Sequence, residues 1–206
     1  MPSVYQLKPA FQGLLRPIVR SLAANGVTAN QVTLAAMVLS LATGIAIARE
    51  ANAHRVLLLL PVVLFARMAL NAIDGMLARE FHQKSALGAI LNELGDVISD
   101  AALYLPLALV PAFDSGLMIG VVFLAALTEM TGVIAVQIGA SRRYDGPMGK
   151  SDRAFVFGLL GLLLGLGAPL EALLRYLMII VLVLLVLTIF NRARRALAEI
   201  RPAAAK

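Results

Sequence analysis

Six apolar runs, each long enough or nearly long enough to cross a bilayer, divide a chain of only 206 residues. They lie at roughly Gln31 to Ala48, Val56 to Leu77, Leu87 to Val110, Leu117 to Ala140, Ala154 to Gly167 and Leu173 to Phe190. A helical span takes about 20 apolar residues, so six of them leave no room for a sizeable domain outside the membrane. The composition agrees: 60% of residues are hydrophobic and 15% charged, against roughly a quarter charged in a soluble domain. The fold class read from this is an all-α membrane protein with six transmembrane helices, forming one domain over residues 1–206.

The segment before the first run has a different pattern. Phe11, Leu14, Leu15, Ile18, Val19 and Leu22 recur at helical spacing, and Lys8, Gln12, Arg16 and Arg20 step by four along another face. This predicts an N-terminal amphipathic helix lying along the headgroups. Pro17 cannot donate its backbone hydrogen bond, so a kink or break is expected there. The segment lacks an uninterrupted apolar stretch and is not read as a cleavable signal.

The formal net charge is +6, with a pI near 10.2. In a soluble protein that balance would suggest nucleic acid; here the basic residues flank apolar runs, where anionic headgroups lie, so nucleic acid is disfavoured as a partner and membrane lipids are favoured. Placing the amino terminus in the cytoplasm puts every Lys and Arg on that side except Arg49, Arg55, Arg67 and Arg175. That asymmetry orients both termini inward. Cysteine is absent, which excludes disulfides and thiolate chemistry, and His54 and His82 lack the partners a zinc site needs.

Charged side chains inside apolar helices cost about 2.5–3.5 kcal/mol each on insertion scales, so those between Arg67 and Asp100 call for pairing or function. Arg67, Asn71, Asp74 and Ala78 share one face of the second span; Gly88, Asn92, Asp96 and Asp100 share one face of the third. If the two spans form an antiparallel hairpin turning near Phe81 to Ser85, Asp74 lies level with Asn92, Asn71 with Asp96, and Arg67 with Asp100. Carboxylates and carboxamides converging at a helix-bundle end suit a hard divalent cation, Mg²⁺ or Mn²⁺; the structural alternative is hydrogen bonding that locks the hairpin. Asp100 is read as the ion-pair partner of Arg67, and Glu93, off the stripe, as a packing or partner-facing residue.

Asn71-Ala-Ile-Asp74-Gly75-Met-Leu-Ala78-Arg79 followed by Gly88-Ala-Ile-Leu-Asn92-Glu-Leu-Gly-Asp96 resembles the D-x2-D-G-x2-A-R…G-x3-D-x3-D signature of the CDP-alcohol phosphotransferase (phosphatidyltransferase) family. Gly26-Val-Thr28-Ala-Asn30-Gln-Val-Thr33 is similar to the segment that precedes the first span in that family. The resemblance implies transfer of a phosphatidyl (substituted phosphate) group from a CDP-linked lipid such as CDP-diacylglycerol to an alcohol acceptor, releasing CMP, in phospholipid biosynthesis. It implies metal binding at Asn71, Asp74, Asn92 and Asp96, with Asp96 also the catalytic base. It places the nucleotide against Gly75, Ala78, Arg79 and Gly88, and implies a homodimer. Asn30 and Thr33 either contact the nucleotide or form an ordinary helix start. The expected location is a bacterial inner membrane, with the site facing the cytoplasm.

Two signature aspartates are asparagine in this chain, Asn71 and Asn92. Asparagine offers a carbonyl oxygen without charge, so two metal ions would be poorly neutralised. One metal, help from Asp100 or Glu93, metal binding only with the diphosphate, or a catalytically inactive homologue that binds CDP-lipid or acts as a membrane partner all remain open at this stage. A transporter is disfavoured because the polar residues cluster toward one end and no inverted repeat is visible.

The loop from Ser141 to Arg153 holds Arg142, Arg143, Lys150 and Arg153 around Gly146 and Gly149. It reads as an acceptor or phosphate site, or as ordinary cytoplasmic loop charge. Ser151 or Asp152 is expected to cap the helix that follows. Glu129, inside the fourth apolar run, is expected to form an interhelical hydrogen bond or to pair with Arg67, with an acceptor role as the lesser alternative.

Overall fold

A computed structural model describes residues 4–201, with side chains from residue 10 onward. The side chains of Lys8 and Lys206 and the Ala-rich tail after Pro202 lie outside the described residues. Seven α-helices follow one another: α1 (Val4–Ala24), α2 (Ala29–Arg49), α3 (Leu59–Glu80), α4 (Ala86–Tyr104), α5 (Ser115–Gln137), α6 (Lys150–Gly165) and α7 (Glu171–Ile200). Single 3₁₀ segments, His54–Leu58 and Leu105–Leu109, precede α3 and extend α4.

Among the described residues, four segments are long and apolar enough to cross a membrane: α2, His54–Glu80, α5 and α7. The other two expected spans differ for physical reasons. At 1.5 Å per residue, the 16 residues of α6 reach about 24 Å, short of the roughly 30 Å hydrocarbon core. Helix α4 has the length, but Glu93, Asp96 and Asp100 interrupt its apolar surface.

Helix α1 runs unbroken through Pro17, against the expected interruption. Tertiary packing holds it: Leu15 and Val19 are buried against Ile73, Met76 and Leu77 of α3 and Ala29 and Val32 of α2. Phe11 meets Phe65 edge-on at 6.1 Å, Arg16 pairs with Glu80 at 3.0 Å, and Leu14 and Ile18 remain exposed on the other side.

The start of α2 is specified locally. Thr28 caps the Gln31 N–H while the Gln31 side chain accepts the Thr28 N–H, so two of the helix's orphan donors are satisfied reciprocally. Gln83, in the α3–α4 turn, accepts the Ala29 N–H at 2.7 Å and fixes that turn to the same point.

Helix α2 packs against both α3 and α4, more than those two pack against each other. The simple hairpin expected from the sequence is therefore a three-helix arrangement. Its closest approach is at Gly44, where an added Cβ would overlap the Ala102 carbonyl. Replacing Gly44 by Val should force α2 and α4 apart and destabilise the chain by about 1–3 kcal/mol, read as a lower unfolding midpoint in detergent; an unchanged midpoint would contradict this packing.

The apolar core, with Leu103, Tyr104, Leu107, Met118, Phe157, Met178 and Leu185 at its centre, borders the buried charges, and Tyr104 lines a small cavity with Asp100, Glu129 and Arg153. Tyr104 and Phe157 stack at 4.4 Å. The polar side chains run from the end where α2 and α4 begin and α3 ends, at Thr33 and Asp74, inward to Arg67, Asp100 and Arg153.

Candidate active site

Helices α3 and α4 present their stripes toward each other as expected in two of three layers. Arg67 donates to Asp100 Oδ1 at 2.9 Å, and Asn71 Nδ2 donates to Asp96 Oδ1 at 3.3 Å. The third layer does not close. Asp74 instead accepts from Thr33 Oγ1 of α2 at 2.8 Å, and Asn92 is exposed. The interposed α2 explains the difference, since its hydroxyl reaches Asp74 before any group on α4.

The beginning of α2 reaches this region through a second residue. A Cβ at Gly88 would sit 2.8 Å from Asn30 Oδ1, so Gly88 gives α2 and α4 the clearance that lets Asn30 enter. Gly75 has a similar effect on α3: a Cβ there would lie 3.2 Å from the Arg79 guanidinium, which folds back over the glycine. Arg79 is exposed and, among the described residues, has no ion-pair partner. Ala78, a turn beyond Asp74 on α3, is half-buried.

Behind this face is a charge network that the sequence only partly signalled. Glu129 of α5 pairs with Arg142 at 3.0 Å, Arg153 at 3.0 Å and Arg192 at 3.2 Å, and not with Arg67. Arg153 also grips Asp100 through Nε and Nη2 at 3.0 and 2.8 Å. It is only 1% exposed. Arg192, equally buried, donates to the Asp145 carbonyl at 3.2 Å and to the Thr128 carbonyl. It belongs to this site because α7 continues past Phe190 to Ile200. The available signal was the four-residue step Thr188, Arg192, Ala196 along one face of α7.

Arg142 forms a two-point contact with Glu93 at 2.9 and 2.8 Å and lies 4.7 Å over the Tyr144 ring. Glu93 is thus an ion-pair partner within the chain. Partial burial opposes the charge on Arg142, but hydrogen bonds to Glu93 and Glu129 outweigh it and hold the pKa above the usual arginine value. Arg143 is clamped between Asp145 at 2.6 Å and Glu199 at 2.7 Å. Gly146, with φ of +123°, lies where a Cβ would strike Thr188, so its conformation serves approach to α7. Asp152 accepts the Gly149 N–H at 2.9 Å and caps α6. Arg142, Arg143, Tyr144, Asp145 and Gly146 line an open depression of about 440 Å³.

Lys150, the first residue of α6, reaches across to Asp96 Oδ2 at 2.5 Å, and Arg67 lies 3.8 Å from Asp96 Oδ1. Asp74, Asp100 and Glu129 are the buried acids among the described residues. Two of them are ion-paired, whereas Asp74 has no cation within 4.0 Å. No three Asp, Glu, His or Cys side chains among the described residues are grouped so as to hold a metal. Asp74 and the carboxamides of Asn71 and Asn92 supply hard oxygen donors with little negative charge.

A bundle of long apolar helices with a carboxylate and carboxamide face defines an integral membrane protein with a polar site. The chain belongs to the CDP-alcohol phosphatidyltransferase family, whose model matches residues 26–198, which makes it a membrane phosphatidyltransferase of phospholipid synthesis. The inner membrane protein YnbA of Escherichia coli K12 is 50% identical over 195 residues, covering 95% of this chain and 96% of that protein, and this chain is likewise an integral inner-membrane protein. Mycobacterium tuberculosis phosphatidylinositol phosphate synthase (PgsA1) with CDP-DAG bound has the same fold, with a TM-score of 0.74 at 24% identity over 92% of this chain and 98% of that one. The same enzyme with manganese and citrate matches with a TM-score of 0.73 at 24% identity, over 91% of this chain and 92% of that one.

Proposed function

We infer that the chain transfers the phosphatidyl group of a CDP-linked lipid to an alcohol at the face formed by α2, α3 and α4. The observation that carries this reading is the convergence of Thr33, Asn71, Asp74 and Asp96 from those three helices. The acceptor oxygen forms a bond to the lipid-linked phosphorus, the bond from that phosphorus to the CMP oxygen breaks, and the acceptor proton passes to Asp96. Asn71 and Lys150 hold the two Asp96 oxygens in place. Arg79 offsets phosphate charge from the exposed end of α3, and Gly75, Ala78, Gly88, Asn30 and Thr33 line the approach of the nucleotide. A divalent cation, Mg²⁺ or Mn²⁺, held by Asp74 with the oxygens of Asn71 and Asn92, would supply stabilisation of the charge that builds on the phosphates.

The acceptor enters from the depression bordered by Arg142 and Arg143. Arg153 acts from behind by fixing Asp100 and Glu129. Supplying the purified chain with CDP-diacylglycerol, Mg²⁺ and a panel of alcohols and phosphorylated alcohols, and identifying the lipid product by mass spectrometry, tests the reading. One phosphatidyl-alcohol should form; CDP-diacylglycerol left intact across the panel would overturn it.

The same reading includes six spans, with α4 and α6 crossing alongside the four longer segments, an interfacial α1, cytoplasmic termini and a homodimer. The pairing of every charge on α4 with residues of α3, the α5–α6 loop and α6 supports its burial within the bundle. Because the chain has no cysteine, single reporters are clean. Cysteine at Asn52 or Ser115 should react with an impermeant maleimide from the periplasm, and at Gln83 or Asp145 only after the membrane is opened. Labelling of Gln83→Cys from outside would contradict this topology.

A further inference from the structure

The charges of the site point to a different cation arrangement from the one expected for a four-aspartate signature, and this inference rests on the transferase reading above. We propose that the Lys150 ammonium takes the place of one of two metal ions, so that the chain binds a single divalent cation, at Asp74. The two asparagines remove two negative charges from the face. Lys150 then adds a positive charge at Asp96 Oδ2, 2.5 Å away, while Arg67 lies 3.8 Å from Oδ1. A divalent ion against Asp96 would be repelled by both. Asp74 is held by a neutral hydroxyl and, among the described residues, has no cation within 4.0 Å.

The lysine is well placed for this exchange. It is the first residue of α6, and its backbone is fixed by the Gly149 to Asp152 cap and by Met148, whose N–H donates to Thr188 Oγ1 at 3.0 Å. Its ammonium therefore reaches Asp96 from a rigid base. An ammonium held in an ion pair places a compact positive charge beside a transferring phosphate. Asn71 matches the altered arrangement: its carboxamide donates to Asp96 Oδ1, a contact that an ionised aspartate at the same position could not make.

The test is a Mn²⁺ titration of the detergent-purified full chain, with free Mn²⁺ counted by electron paramagnetic resonance and CMP release recorded on the same samples. The wild-type chain should bind one Mn²⁺. Lys150→Met should bind Mn²⁺ at least about tenfold more tightly, because a positive charge a few ångströms from the site has gone, and Lys150→Arg should retain the wild-type affinity. The combination Asn71→Asp, Asn92→Asp, Lys150→Met should bind two ions. Two Mn²⁺ on the wild-type chain, no Mn²⁺ at all, or equal affinity in Lys150→Met and wild type would overturn the proposal. If Lys150→Met is not monodisperse, Lys150→Gln carries the same expectation. One bound ion without CMP release would sink the transferase reading and leave the single-cation assignment standing.

Discussion

Replacing Asp96 by Asn should reduce CMP release by about two to four orders of magnitude, the range that separates positioned acid–base catalysis from its absence. The substitution keeps the shape of the side chain and an oxygen for one neighbour, so folding is little affected. It removes the carboxylate assigned above as the proton acceptor. Donor binding should survive, since the nucleotide is assigned to Asn30, Thr33, Gly75, Ala78, Arg79 and Gly88. A pre-steady-state measurement separates the two effects: CDP-diacylglycerol affinity within a few-fold of wild type, with turnover lost. Retention of more than about a tenth of the activity would assign the proton to another acceptor.

The second large effect concerns stability. Arg153 is 1% exposed and joins Asp100 of α4 to Glu129 of α5. Arg153→Met fills a similar volume but leaves both buried carboxylates short of a partner, and breaking such a pair costs about 3–5 kcal/mol. The unfolding midpoint in detergent should fall by several degrees, and the loss should be partly recovered by the accompanying change Asp100→Asn. Arg142→Met, at the edge of the network, should cost less, because Glu93 is already partly hydrated. If Arg153→Met instead left stability intact and weakened only acceptor binding, Arg153 would belong to the substrate site.

Much of this site was readable in the chain because helical periodicity is strict. Once Arg67, Asn71 and Asp74 fall on one face and Asn92, Asp96 and Asp100 on another, depth matching gives Arg67 with Asp100 and Asn71 with Asp96, and both contacts are present. Asp74 escaped because its partner, Thr33, lies 41 residues away on α2, and nothing in the pattern of α3 and α4 shows that a third helix packs between them. The role of Glu129 escaped for a similar reason. Its three arginines come from a loop, the start of α6 and the end of α7, all positions where positive charge is expected on topological grounds alone. Only its four-residue step from Thr188 and to Ala196 set Arg192 apart from its neighbours Arg194 and Arg195. Span number was the least legible part, because apolar runs mark α4 and α6 like the others, whereas α4 carries Glu93, Asp96 and Asp100 and α6 has 16 residues, leaving four segments long and apolar enough to cross among the described residues.

The most direct test of the account is release of CMP from CDP-diacylglycerol by the purified wild-type chain, with and without chelation of Mg²⁺ or Mn²⁺. The account predicts release that requires both an alcohol acceptor and the divalent cation and that stops when the cation is chelated. Retained binding of CDP-diacylglycerol with no CMP released under any of these conditions would contradict it, and would mean that Asn71 and Asn92 leave a pocket that binds the donor and does no chemistry.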